Sequence, residues 1–311
     1  NDFSSSQFPT NTPLENLQVT AAHEYFHAVQ FAYDAFEDRW FMESTATWAE
    51  DELYDDVDDN LQYLVDSPLA KPAQPLDTFS NGAGPQYGEW IFFRFLTEQI
   101  TAEAGGLPTL VRDMWKRADG AAGGPDDYSM QAVEHALSAR GVDLTNAFSA
   151  FAAANRMPAF SYEEGAANGY PTAAPGGTFK LSKSKPDSGW KYATVAHLAA
   201  VTARFVPGTG VSTSNWKLKV SVNLPPKSTD TTAVITVARK SGSPQVFLVP
   251  LNSSGGGTKK VAFGSSGVSY VEVTLVNAGA HYKCWSGGAY SCLGTSKDDG
   301  RKLYVRATAT K

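Results

Sequence analysis

The stretch His23-Glu24-Tyr25-Phe26-His27 constrains this chain more than any other. Two histidines four residues apart leave the same face of a helix, where both imidazoles can reach one Zn²⁺. Glu24 falls beside them, placed to act on a metal-bound water without being a ligand. The surrounding sequence supports a helix. Leu14, Leu17, Ala21, Ala22, Tyr25, Phe26, Val29 and Ala32 recur at three- and four-residue steps, with Thr12 as N-cap and Pro13 in the first turn. The chain holds five histidines in all, and two are here. The plain alternative is a helix that merely carries two histidines and a glutamate.

A chain of 311 residues allows two domains of ordinary size, and 42% hydrophobic residues suit packed cores. No apolar run reaches the length of a membrane span. The net charge of -6, without a long basic run, argues against a nucleic-acid partner. No signal peptide is visible, which suits a mature or trimmed chain. Cys284 and Cys292 flank a flexible loop that a disulfide can close, and an even cysteine count favours a bridge and an oxidising, extracellular setting. Two buried thiols remain the alternative. The spacing is too wide for a zinc pair.

Residues 1–13 read as an irregular lead-in. A second apolar helix starts near Trp40. The run Asp51–Asp59 is strongly acidic; Ca²⁺ wants such carboxylates, but the spacing is not that of an EF-hand, and a solvated helix end is the better reading. A Pro/Gly-rich loop covers 66–84. Tyr87–Ala104 reads as a helix ended by Gly105-Gly106, with shorter helices near 107–118, 129–140 and 144–155. Residues 165–177 look like a linker. Beyond it come about eight short strands, among them 217–222, 233–237, 245–249, 270–276 and 303–307, which suggest an antiparallel β-sandwich. The expected division is a mainly helical catalytic domain at 1–164, a linker at 165–177 and an accessory sandwich at 178–311. The sandwich carries no catalytic motif; it either contacts a surface or glycan or simply shields its neighbour.

A hydrolytic zinc site takes three protein ligands and leaves one position for water. A histidine six residues after His27 would mark a metzincin, but that place holds Tyr33. His135, His197 and His281 lack a helical motif around them and read as structural or surface residues. Glu43 lies in the apolar stretch Trp40–Trp48, where a carboxylate needs a cation or donor beside it. Its competitor, Glu37, sits in a charged turn and reads as solvated. Glu50 falls two turns beyond Glu43 on the same face. It either accepts a ring N–H from His23 or His27, or begins the acidic surface run.

His23-Glu24-Tyr25-Phe26-His27 followed by Trp40-Phe41-Met42-Glu43-Ser44 resembles the gluzincin zinc peptidases, in which a glutamate on the next helix completes the metal site. The W-x-x-E form is most similar to the aminopeptidase branch, which also places an acid where Glu50 stands. Bacterial secreted proteins grouped as metalloproteases carry a very similar arrangement. The resemblance covers residues 14–105. It implies a gluzincin-like helical catalytic domain, one Zn²⁺ on His23, His27 and Glu43, and Glu24 as general base. It also nominates Tyr87, in Pro85-Gln86-Tyr87-Gly88, as donor to the tetrahedral intermediate, although the family places two residues between Tyr and Gly and this chain has none. The edge strand that presents substrate in those enzymes has no counterpart before residue 14. The expected activity is that of a secreted protease on protein or peptide, most simply an endopeptidase. The alternatives are an aminopeptidase, or a non-catalytic surface- or glycan-binding protein with a vestigial metal site.

Overall fold

A computed structural model describes residues 3, 4, 6, 10–82, 84–100 and 108–311. The predicted helix stop at Gly105-Gly106 lies outside the described residues. The helices are α1 (Pro13–Phe31), α2 (Arg39–Leu53), α3 (Pro85–Gly88), α4 (Trp90–Gln99), α5 (Leu110–Arg117), α6 (Met130–Ala139), α7 (Leu144–Ala154) and α8 (Pro158–Ser161). The strands are β1 (Gly177–Leu181), β2 (Lys191–Val195), β3 (Ala199–Pro207), β4 (Lys217–Asn223), β5 (Thr231–Arg239), β6 (Gln245–Leu248), β7 (Gly256–Ala262), β8 (Val268–Asn277), β9 (Tyr282–Lys283), β10 (Thr295–Ser296) and β11 (Arg301–Thr310).

The chain forms two compact units. The first comprises Asn1–Lys71, Leu76–Leu144 and Tyr282–Thr295; the second comprises Pro72–Pro75, Thr145–His281 and Ser296–Lys311. The expected order, a mainly helical gluzincin-like domain followed by an antiparallel sandwich, is therefore corrected. The units interleave along the chain, because α7 and α8 join the strands while a loop from among the strands joins the helices. The sandwich is also mixed, since β1 pairs with β3 in parallel.

In the first unit, Thr12 caps α1 in a full capping box: its side chain accepts from Glu15 N–H and Glu15 accepts from Thr12 N–H. The buried face of α1 is not its apolar stripe. Asn16, Val19, Ala22, His23 and Gln30 are buried, whereas Leu14, Leu17, Tyr25, Val29 and Phe31 are exposed. α1 lies against α2, whose inner residues Phe41, Ser44, Thr45, Ala46 and Thr47 are wholly buried. Phe41 stacks on Trp115 at 4.7 Å between centroids, and Trp40 on Phe93 at 6.2 Å, which ties α2 to α5 and α4. The helix predicted from Tyr87 is broken at Glu89 into α3 and α4. The acidic run is not simply solvated: Asp51 is buried, and Arg94 reaches both Asp51 and Glu52 at 3.3 Å.

In the second unit, a five-stranded sheet in the order β1-β3-β8-β5-β6 faces a four-stranded sheet in the order β2-β11-β4-β7. Alternating Leu218, Val220 and Val222 of β4 and Leu303, Val305 and Ala307 of β11 meet Phe205, Ile235 and Val273 in the core. Glu272 of β8 is wholly buried and satisfied by two arginines. Arg156 binds it bidentately at 2.8 and 3.0 Å, and Arg204 donates at 2.9 Å. The stretch 165–177 packs within this unit: Tyr170 is buried and Arg156 donates to Ala173 O. β9 and β10, at the two ends of the first unit's Tyr282–Thr295 segment, pair as a short ribbon.

Candidate metal centre

α1 and α2 bring His23, His27 and Glu43 together, with donor atoms all within 4.8 Å of one another. His23 Nε2 lies 3.1 Å and His27 Nε2 3.6 Å from the same oxygen, Glu43 Oε2. The two rings sit edge to face, 4.6 Å apart. Their outer nitrogens are both engaged. His23 Nδ1–H donates to Glu50 Oε1 at 2.6 Å, and His27 Nδ1–H donates to Gln30 Oε1 at 2.6 Å. Each bond turns an Nε2 toward the shared point, the arrangement that a metal-binding histidine needs.

Sequence reasoning missed Gln30. Its role follows from its surroundings. Its amide donates to Met42 O at 2.9 Å and Thr45 Oγ1 at 3.0 Å. Thr45 donates its own proton to Phe41 O and also accepts from Trp115 Nε1. With both amide protons used, Gln30 can present only its oxygen to His27. The available signal was position: Gln30 follows His27 by three residues and so shares its helix face.

Burial opposes charge on His23, but hydrogen bonds and charge from Glu43 and Glu50 outweigh it and push the imidazole up to about 9. Burial would raise Glu43, yet both histidines hold it down at about 2. Burial likewise works against His27, and Glu43 and Gln30 raise it. Burial raises Glu50 despite its bond to His23. The cluster thus stabilises positive charge between two imidazoles and a carboxylate. That nitrogen, nitrogen, oxygen donor set fits a divalent ion such as Zn²⁺.

Glu24 is exposed beside this cluster. Tyr87 is half-buried, its ring 6.2 Å from that of His23 and stacked on Tyr63 at 5.0 Å. Burial and the carboxylates of Glu43, Glu24 and Glu50 raise the Tyr87 phenol, so it stays a donor. Gly88 permits this placement, since a Cβ there would lie 2.7 Å from Tyr63 O and 2.8 Å from Ser67 N.

From His27 and Glu43 a cleft of about 850 Å³ runs past Phe31, Phe36, Trp40, Phe79 and Tyr128. Gly288, Ala289, Tyr290 and Leu293 form another of its walls. The first three belong to the loop closed by the Cys284–Cys292 disulfide, and Leu293 directly follows it. Three buried acids hold this loop. Cys292 N–H donates to Asp38 Oδ2 at 2.6 Å, and Asp77 Oδ2 accepts from Ser291 N–H, Ser291 O–H and Tyr282 O–H. Ser129 N–H donates to both oxygens of Glu37 at 3.1 Å, and its hydroxyl donates to Ser291. Glu37, read as solvated, is therefore buried. Burial pushes Glu37 up to about 8 and Asp38 up to about 6.

The remaining histidines lie outside the cluster. His135 and His281 are exposed and paired with Asp127 and Asp298, and His197 is buried against Asp299.

No protein-family model and no curated protein matches the chain. Among solved structures it is similar to PliG of Aeromonas hydrophila, a periplasmic lysozyme inhibitor of g-type lysozyme, at 10% identity over 43% of this chain and 97% of that one, with a TM-score of 0.24. It is also similar to CorA, a surface-associated copper-binding protein of Methylomicrobium album BG8, at 8% identity over 44% and 99%, with a TM-score of 0.25. A chitosan-binding module of a Paenibacillus sp. IK-5 chitosanase/glucanase matches at 17% identity over 37% and 75%, with a TM-score of 0.18. Among the described residues, no helix is long and apolar enough to cross a membrane.

Proposed function

We propose that this chain is a secreted zinc-dependent peptidase of gluzincin type, with His23, His27 and Glu43 holding one Zn²⁺. The observation that carries the reading is the convergence of both Nε2 atoms on one Glu43 oxygen while Glu50 and Gln30 engage both Nδ1 atoms. The bound ion would polarise a carbonyl and bring the pKa of water from near 16 toward about 7. Glu24 takes the proton of the attacking water and returns it to the leaving amine. Tyr87 donates to the developing oxyanion, a contribution of about 2.7–4 kcal/mol for one well-placed donor. The cleft beside His27 gives an extended chain room to lie across the site. The disulfide supports an extracellular setting.

A second reading has its own support. Trp190 and Tyr192 are exposed on the second unit, as suits contact with a surface or glycan. A binding protein would carry that face with or without an active metal centre. Cleavage of unfolded casein by the zinc-loaded chain separates the two. A peptidase loses turnover with chelator and by at least about a hundredfold in Glu24→Gln, the loss typical of a missing general base. Cleavage that survives in Glu24→Gln would overturn the mechanism. Peptides with blocked or free N-termini then divide endopeptidase from aminopeptidase.

A further inference from the structure

The two units carry opposite charge. The first holds eight Lys and Arg against twenty-five Asp and Glu, and the second holds eighteen against seven. On the second unit four lysines lie on one surface, the outer face of the four-stranded sheet. Strand alternation buries Leu218, Val220 and Val222 and turns Lys217, Lys219, Ser221 and Asn223 outward. The register then sets like beside like. Lys219 pairs with Lys260 and Ser221 with Thr258, while Tyr304 lies between Tyr192 and Asn223. Lys302 continues the outer row of β11, its Nζ 5.9 Å from the centre of the Tyr192 ring. Among the described residues Lys217, Lys219, Lys260 and Lys302 have no acidic partner, whereas Arg306 is held by Asp187. Trp190 walls a groove of about 710 Å³ whose lining includes Ser221, Asn223, Asn252 and Thr258.

Each part of this face asks for a different part of one ligand. Exposed Trp190 and Tyr192, with Tyr304 beside them, offer flat apolar surfaces that stack on the C–H faces of sugar rings. The hydroxyl and amide side chains in the groove bond to ring hydroxyls. Neighbouring lysines without counter-charges favour repeated anionic groups. A membrane surface would draw on the same aromatics and lysines but would leave the groove's row of hydroxyl and amide groups without sugar hydroxyls to bond, so the groove favours a glycan. The disulfide also favours an extracellular partner over nucleic acid. We propose that this face binds an anionic polysaccharide, a chain of pyranose rings bearing carboxylate or sulfate groups. The proposal deepens the glycan-contact reading of the second unit and does not depend on the metal centre.

The test is binding of the full chain to immobilised polygalacturonate and heparin, beside a neutral β-glucan, duplex DNA and phosphatidylglycerol vesicles. Trp190→Ala/Tyr192→Ala and Lys219→Ala/Lys260→Ala alter exposed side chains, so circular dichroism should be unchanged. Binding to one or both acidic glycans is expected. Each double variant should weaken it about tenfold, and raising salt from about 50 to about 300 mM should weaken it further as screening shortens. Equal binding to the neutral glucan, indifferent to salt, would keep the glycan reading but overturn the anionic one. Preference for DNA or vesicles, unaffected by the aromatic variant, or binding to none of the five, would overturn the proposal outright.

Discussion

Gln30 shows how much of the proposed metal site lies outside its three candidate ligands. A buried amide, fixed by Met42 and Thr45, decides which nitrogen of His27 carries the proton. Gln30→Ala should weaken zinc binding by roughly 10–100-fold, the usual cost of losing such a partner, measured by competition with a chromophoric chelator. An unchanged affinity would mean that the His27 tautomer is set otherwise. The carboxylates around His23 would make metal uptake at the proposed site pH-dependent. Since His23 is pushed up to about 9, a metal bound there would have to displace its proton through the neutral range. Zinc affinity should therefore fall as pH falls from 9 to 6, with proton release visible in titrations run in buffers of different ionisation enthalpy. The residues legible in the sequence were those with a spacing rule, namely His23 and His27, and those whose charge sat in apolar surroundings, as Glu43 did. Glu37 was misread because its turn is charged in sequence but buried under Ser129, which itself bonds Ser291 of the disulfide loop, a contact of high sequence separation.

The helices were legible by period, but the inward face of α1 was not. Sequence periodicity gives an apolar stripe, and in α1 that stripe is the exposed one, because the opposite face carries the site. Leu17→Ser and Tyr25→Ser should accordingly leave the thermal midpoint nearly unchanged, whereas Gly88→Ala should lower it, because its Cβ would meet backbone of residues 63–67. The disulfide loop adds a pH dependence. Glu37 and Asp38 are raised in the folded protein, so their contribution is full below about 4, and it fades as pH rises through about 6 and then 8. His23, also raised, acts in the same direction. Glu43, held at about 2, opposes them only as pH falls below about 4. The metal-free chain should thus melt at a higher temperature at pH 5 than at pH 9, as followed by calorimetry; a higher midpoint at pH 9 would contradict the buried anchors. Removing the bridge with Cys284→Ser/Cys292→Ser should cost about 2 kcal/mol, at the low end because the closed ring is short.

At the scale of the molecule, the change from helix to strand texture near residue 165 was readable, and the assignment of segments to units was not. The Gly- and Ser-rich stretch around Cys284 has no periodicity to say that it joins the helices, and β1 carries no mark that it would pair in parallel with β3. Nor does total charge reveal that an acidic unit and a basic one share the chain, for the opposite excesses nearly cancel to -6. What unites the observations is a candidate metal centre, the His23, His27 and Glu43 cluster, assembled wholly within the acidic unit by α1 and α2. Zinc content after equilibrium dialysis tests that centre most directly, in the native chain and in His27→Ala, Glu43→Ala and Glu24→Gln. One zinc per chain should be found in the native protein and in Glu24→Gln, and much less in the other two. Full zinc content in Glu43→Ala, or none in the native chain, would contradict it.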